Sequence, residues 1–394
     1  MKKLLTLLLS LTLAIGVFAA CGGEKDPVVA LITLHDESST YDANFINAFK
    51  AACEAKGLKK SQYKIVSNIP EEGDDCYTEA ANFAKKGYKA VFADSFGHEA
   101  NMIKAAKEYT DVQFCHATGT KAHTENLANY HNAFASIYEG RYLAGVAAGI
   151  KLNAMIAAGE FTAEEAKIGY VGAFPYAEVI SGYTSFYLGA KSVCPTVTMT
   201  VRFTNSWYAL EAEYSTAMTL ITSDKCKLIS GHADSMGAPN ACEEKGVPNV
   251  FYNNKTDKDT WVISSRINWQ PYFELMIDNA LGGAALPVDY TGTIATGSVE
   301  VLELGVGPAA VTGTKEALEE VIAQFKAGTL KVFNTANFTV DGQTVTTYKA
   351  DVDDDGTFTG ETEVILNGYF NESTFRSAPY FDLTIDGIEK VVAA

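Results

Sequence analysis

The sequence predicts an α/β fold of two doubly wound parallel-sheet lobes joined by crossovers, and three observations carry that prediction. From residue 26 onward, short β-rich runs alternate with amphipathic helical stretches. Strands alternating with helices of this length imply parallel sheets covered on both faces. The alternation forms one series up to about residue 131 and starts again near residue 168. No stretch rich in Pro, Gly or Ser separates the two series, so neighbouring lobes with short crossovers and a hinge are expected.

In the first series, strands are expected over 28–34, 63–66, 90–93 and 112–115, with helices over about 43–55, 78–86 and 99–108 between them. A long helix is expected over about 133–156, where the many Ala and Gly residues let neighbouring elements approach closely. The second series has strands over 168–172, 197–203, 227–230 and 249–252, and helices over 177–190, 208–221 and 236–245. Beyond about residue 311 an amphipathic helix is expected over 314–326, followed by paired strands with turns at Asp341-Gly342 and Asp355-Gly356.

The N-terminus reads as an export signal. Lys2 and Lys3 precede an apolar run over 4–17, and Ala19 and Ala20 stand just before Cys21; this is the layout of a signal peptide over 1–20. A small-residue site that ends on a cysteine lets the Cys21 thiol carry a diacylglyceryl group, so a lipid-anchored protein on the extracytoplasmic face of the cell membrane is expected. The apolar run is shorter than the ~20 residues that span a bilayer, and no second long run follows it. The net charge of -17 and pI near 4.8 argue against nucleic acid as a partner, because phosphate binding calls for a basic patch. Six further cysteines, Cys53, Cys76, Cys115, Cys194, Cys226 and Cys242, permit up to three disulfides, but their spacing fits neither a disulfide scaffold nor a paired-cysteine metal motif, and several read as buried thiols, Cys115 in its apolar run above all.

Open parallel sheets bind ligands at the carboxyl ends of their strands, so the residues after each strand are the candidate site. In the first series these loops hold Asp36, Tyr41 and Asp42, then Ser95, Phe96 and Gly97, then Thr118. In the second they hold Phe174, Trp207, Asp234, Asn253 and Lys255. Nearly every loop offers an aromatic, a carboxylate or an amide, which suits a small planar polar ligand held between two rims. Each residue also has a plainer reading: Ser, Asp and Asn before a helix are preferred N-caps, and Tyr41, Phe174 and Trp207 fit equally well as core residues at strand-helix junctions.

Five strings in order carry a resemblance over most of the chain: Tyr130 to Gly149 with its run YEGRYLAG, Lys167 to Pro175 (KIGYVGAFP), Asn205 to Trp207 before an acidic helix, Gly231 to Ser235, and Ser264 to Tyr272 (SSRINWQPY). On these the chain resembles the BMP family, the basic membrane protein or purine-nucleoside-binding lipoproteins of ABC importers. The resemblance implies a type I periplasmic-binding fold with three crossovers. It divides the chain into an N-terminal lobe of 27–131 with about 258–300, and a C-terminal lobe of 132–257 with about 301–394 that includes a C-terminal extension. It implies a purine nucleoside or nucleobase as ligand, permease and ATPase subunits as partners, no cofactor and no bond made or broken. Tyr41 stands where the family has a stacking Phe, Asp36 lies in the Asp-containing loop, and Trp207 is the second candidate stacker. The loop in which the family carries an Asp for the ribose reads Asn253-Asn254-Lys255-Thr256-Asp257, and Asp42 replaces a customary Asn. Nucleoside, nucleobase and another small solute such as a sugar therefore all remain open.

Other chemistries have less support. The sequence holds no H-E-x-x-H, G-x-S-x-G or phosphate loop, although His35, His98 and His232 fall on strand-end loops where a nucleoside hydrolase would want them. A sensor on the same fold is a further reading. Asp351, Asp353, Asp355 and Gly356 resemble the opening of a calcium loop, but its twelfth position is Thr362 where a bidentate Glu is expected, which favours a solvated hairpin turn.

Overall fold

The computed structural model describes residues 26–353 and 360–391, so the export signal, Cys21 and the Asp355-Gly356 turn lie outside the described residues. The chain runs β1 (Val29–Ile32), α1 (Thr40–Ala55), β2 (Tyr63–Val66), α2 (Asp75–Lys85), β3 (Ala90–Ala93), α3 (Glu99–Glu108), β4 (Gln113–Ala117), α4 (Ala122–Glu125) and β5 (Tyr130–Ala135). It then forms α5 (Ile137–Ala157), β6 (Lys167–Gly172), α6 (Ala177–Val193), β7 (Thr198–Phe203), α7 (Leu210–Thr222), β8 (Leu228–His232), α8 (Gly237–Lys245) and β9 (Asn249–Tyr252). The remainder is β10 (Trp261–Ile267), α9 (Gln270–Ala280), β11 (Asp289–Gly292), β12 (Val299–Val301), α10 (Thr314–Lys326), four two-residue strands β13 (Lys349–Ala350), β14 (Thr362–Glu363), β15 (Ile365–Leu366) and β16 (Tyr369–Phe370), and β17 (Ile388–Val391).

Two main sheets result. One has the order β11-β5-β4-β3-β1-β2 and is parallel throughout. The other has the order β12-β10-β9-β8-β6-β7-β17 and is parallel except where β12 runs against β10. The central strands are buried along their whole length, which explains why they read as apolar runs rather than alternating ones. The chain passes between the lobes at three places: from β5 into α5, from β10 into α9, and from β11 to β12.

Several sequence expectations need correction. The long helix does not begin at Ala133, because Tyr130 to Ala135 form β5, paired with β4 on one side and β11 on the other. Two flanking strands outweigh the helix propensity of Ala133 and Ala135, which is a weak preference beside ladder pairing. Helix α7 begins at Leu210 rather than Tyr208, whose carbonyl accepts a hydrogen bond from the Ser206 hydroxyl in the preceding turn. The paired strands expected at the C-terminal end occur as β13 with β14 and β15 with β16, and Asp341 and Gly342, both at positive φ, close a turn between Val340 and Gln343. The last strand instead joins the large sheet, with β17 parallel to β7. The six described cysteines are free thiols, all buried.

The small residues of α5 do what their size predicts. A Cβ on Gly145 would lie 2.0 Å from the Phe186 carbonyl oxygen, and one on Gly189 would lie 2.1 Å from that of Tyr142. Helices α5 and α6 therefore touch backbone to backbone, and this contact fixes the helix layer on which β6 and β8 stack.

Candidate functional site

The carboxyl ends of β1, β3 and β4 face those of β6, β7 and β8 across a narrow cleft. From the first lobe Tyr41, Asp42, Ser95, Phe96 and Thr118 line it, with Leu34 at its base. From the second come Glu178, Trp207, His232 and Asp234. The rims touch: the backbone N–H and hydroxyl of Thr40 both donate to the Asp234 carbonyl, each at 3.1 Å. Across the mouth the Phe96 ring stacks on Tyr176 at 5.6 Å, and the His35 ring lies 5.6 Å from Tyr208.

The first-lobe rim is braced by its own polar side chains. Ser39 caps α1, and Asp42 accepts hydrogen bonds from the His35 N–H at 2.7 Å and the Ser39 hydroxyl at 2.6 Å. Burial alone would raise the Asp42 carboxyl, but the hydrogen bonds from His35 and Ser39 hold it below the ordinary value. Asp94 lies behind it, accepting from the Leu34 N–H through Oδ1 and from the Tyr41 hydroxyl through its carbonyl. Burial, with the Asp42 charge next to it, pushes Asp94 well above the usual carboxylate range. Glu71 organises the neighbouring loop, its Oε1 accepting from the Ser95 hydroxyl at 2.6 Å and the Gly97 N–H at 2.8 Å.

The second-lobe rim is aromatic and acidic. Trp207 meets the Phe174 ring edge-on at 5.1 Å, and Phe174 in turn stacks on Tyr176 at 5.1 Å and 12°. A row Trp207, Phe174, Tyr176 and Phe96 thus runs from the cleft wall across its mouth. Asp234 donates its N–H to the Trp207 carbonyl, and its buried carboxyl is pushed well above the ordinary range by burial and then by Asp42, Glu213 and Glu178. Glu178 sits in the first turn of α6 and accepts from His232 Nε2 at 3.3 Å. Burial, followed by the guanidinium of Arg141, keeps His232 below its usual value and so neutral at pH 7. Arg141 is fully buried beneath it, 3.5 Å over the Tyr252 ring, donating to the Gly231 carbonyl.

Of the residues singled out in the sequence, the structure brings Tyr41, Asp42, Ser95, Phe96, Trp207 and Asp234 to the cleft surface. Phe174 stands behind Trp207 as its support. Asp36 turns toward solvent and accepts from the Ser38 N–H, and Gly97 packs so closely on Glu71 that a Cβ would lie 2.6 Å from its Cβ. Asn253 is buried at φ 64 with its Nδ2 unpartnered, and the exposed Lys255 reaches toward Glu303 at 3.6 Å. Glu178, Thr118 and His232 line the cleft as well. Their signal was the same strand-end position, extended by one turn of helix in the case of Glu178. Asp351, Asp353 and Glu361 place ligand atoms within 4.8 Å of one another, away from the cleft floor. No helix among the described residues is long and apolar enough to cross a membrane.

Two parallel-sheet lobes, three crossovers and an interlobe cleft walled by aromatics and acids define a solute-binding protein of the type I periplasmic-binding fold. Solved structures agree on the fold. A solute-binding protein of Aeropyrum pernix K1 superimposes with a TM-score of 0.65 at 15% identity, covering 78% of this chain and 93% of that one. One from Conexibacter woesei DSM 14684 gives 0.61 at 16% identity, covering 77% and 98%. A protein of Brucella abortus (strain 2308) named as purine-binding is 31% identical over 289 residues, which are 73% of this chain and 77% of that protein. A Haloferax volcanii protein named as a putative ABC transporter glucose-binding protein is 31% identical over 218 residues, 55% and 52% of the two chains. The family model described as ABC transporter substrate-binding protein PnrA-like matches residues 29–302, and the chain belongs to that Bmp family. Its members are extracytoplasmic solute-binding proteins rather than enzymes.

Proposed function

We propose that this protein captures a purine nucleoside or nucleobase between its lobes and hands it to the permease and ATPase subunits of an ABC importer, while a lipid on Cys21 holds it at the outer face of the membrane. One observation carries the reading: the cleft offers aromatic surface from both lobes, Tyr41 and Phe96 from one and Trp207 from the other, beside the acidic groups of Asp42, Glu178 and Asp234. A flat heterocycle satisfies such a site, its faces covered by rings and its N–H groups donated to carboxyl oxygens. Stacking on aromatic side chains contributes roughly 1 to 3 kcal/mol per base. Two faces then supply a large part of the ~8 kcal/mol of micromolar binding.

Charge narrows the ligand further. Among the described residues lining the cleft there is no Lys or Arg, so a phosphate group entering it finds carboxyl groups on the cleft surface and no cationic side chain there to pair with. The ligand is therefore a free nucleoside or base and not a nucleotide. The name carried by the Brucella abortus relative supports the purine class. Closure follows from differential binding: contacts to both rims stabilise the state in which the rims meet.

The test is a thermal-shift panel of nucleosides, nucleobases, sugars and amino acids on the chain lacking residues 1 to 21. A ligand at one hundred times its dissociation constant adds roughly 2.7 kcal/mol to folded-state stability. A rise with adenosine, guanosine, inosine or adenine supports the reading. A response confined to glucose or another sugar replaces the ligand, in line with the name of the Haloferax volcanii relative, and retains the transport role.

A further inference from the structure

The crossovers join the lobes through the chain itself at three places. Residues beyond 302, outside the family-matched region, join them again without a covalent link. Two anchors fix the segment 372–388 to the second lobe. At one end the Ser181 hydroxyl of α6 donates to Glu372 at 2.5 Å, and at the other β17 runs parallel to β7, from Ile388 beside Met199 to Val391 beside Arg202. Between the anchors the chain reaches the first lobe: Ser377 donates to Asp289 Oδ1 through its N–H at 2.9 Å and its hydroxyl at 2.8 Å. Asp289 opens β11, the edge strand of the first sheet that leads into the third crossover.

The reach is stiff. Arg376, beside Ser377, donates to the carbonyls of Val352, Ala378 and Pro379. The Tyr380 hydroxyl oxygen accepts from the N–H groups of Thr374 and Phe375, and the hydroxyl donates to the Asn371 carbonyl. Ser377 is fully buried at the contact. A loop braced in this way passes a pull from one lobe to the other instead of stretching. On the first-lobe side, the other oxygen of Asp289 lies 3.6 Å from His123 Nδ1 of α4. Lobes joined by short crossovers move relative to one another by default, and a braced fourth joint opposes that motion. Both of its hydrogen bonds end on one side-chain oxygen, so a single substitution releases them.

We propose that residues 372–388 form a strap that holds the ligand-free protein near its closed arrangement, with the contact between Ser377 and Asp289 as the latch that parts before the cleft opens wide. The ligand-free chain then stays close to the state in which the rims meet at Thr40 and Asp234. A solute finds a cleft already shaped for it, and apparent affinity tightens in proportion to the fraction of molecules in that state. Entry and exit become slower in return, because wide opening waits for the latch. The inference concerns the chain alone and holds whichever solute the cleft takes.

Small-angle scattering of the ligand-free chain lacking residues 1 to 21 tests this. A compact chain of this length has a radius of gyration of about 21 Å, and release of the lobes is expected to add about 1 Å. The native chain is expected to keep the compact value and Asp289→Ala to show the increase. Asp289→Asn, which retains an acceptor oxygen, is expected to stay with the native chain. Ser377→Ala, which removes one of the two donors from the strap side, is expected to show a smaller increase. A native chain with the same radius as a folded Asp289→Ala chain overturns the strap, whether both are compact or both open. So does an Asp289→Asn chain that opens as far as Asp289→Ala, since it assigns the effect to the His123 contact. If Asp289→Ala loses its native circular dichroism, Ser377→Ala decides, and a radius unchanged from the native value overturns the inference.

Discussion

Replacing Glu372 by Gln is expected to make the protein more stable at pH 8 than the native chain, by an amount that vanishes in acid. Glu372 is buried in the C-terminal segment, where the Ser181 hydroxyl donates to one carboxyl oxygen and the Ser373 hydroxyl to the other. Burial pushes its pKa up from 4.5 to about 7, with Glu178 and Glu139 adding to the rise against the two hydroxyls. Below pH 4.5 the folded and unfolded chains both hold this proton, and it has no effect on stability. Between 4.5 and about 7 the unfolded chain releases the proton while the folded chain keeps it, so stability falls as pH rises; above about 7 the loss is complete. At 1.36 kcal/mol per unit the total is on the order of 3 kcal/mol. Gln keeps the shape, accepts one hydroxyl at its carbonyl oxygen and donates to the oxygen of the other from its NH2, and carries no proton to lose.

Urea unfolding of both proteins at pH 4.5 and pH 8, followed by tryptophan fluorescence, measures the difference between them. Glu139, also raised to about 7 by burial, titrates in both proteins, so the effect of its own burial cancels in the difference. The variant minus native difference is expected to grow by about 3 kcal/mol from the lower to the higher pH. A difference that is the same at both pH values refutes the reasoning, since it means the carboxyl titrates alike in folded and unfolded chains.

Trp207→Ala is expected to weaken purine binding by roughly 1 to 3 kcal/mol, about five- to two-hundredfold, by calorimetry, while far-ultraviolet circular dichroism is unchanged. Phe96→Ala removes the ring that meets Tyr176 across the cleft mouth, and small-angle scattering is expected to show a larger radius of gyration without ligand and the native value with it. Gly189→Val drives a side chain into the Tyr142 carbonyl, so thermal unfolding is expected to move down by several degrees, in keeping with an overpacking cost of at least about 1 to 3 kcal/mol.

The lobes were legible in the sequence because parallel strands buried on both faces read as short apolar runs, and the helices between them as amphipathic stretches. Strand β5 was not, because Tyr130 to Ala135 is flanked by Ala-rich sequence and owes its strand form to β4 and β11, one of which lies more than 150 residues away in the chain. Helix α9 and β11 cross back to the first lobe and β12 returns to the second, so no local alternation announces them. At the site, the strand-end rule found both rims. It could not say which way a loop side chain turns: Ser95 and Asp42 face the cleft while also bracing their own loops, and Asp36 turns away. Glu178 escaped because it belongs to a helix, although it hangs over the same cleft.

The pairing of β17 with β7 joins Ile388 to Met199 across 388 − 199 = 189 residues. Until residues 388–391 arrive, β7 is a bare sheet edge, a template for pairing with another chain. Once seated, β17 covers that edge. The second sheet thus cannot be completed on a partly synthesised chain, and a loop closure this long is slow compared with local structure formation.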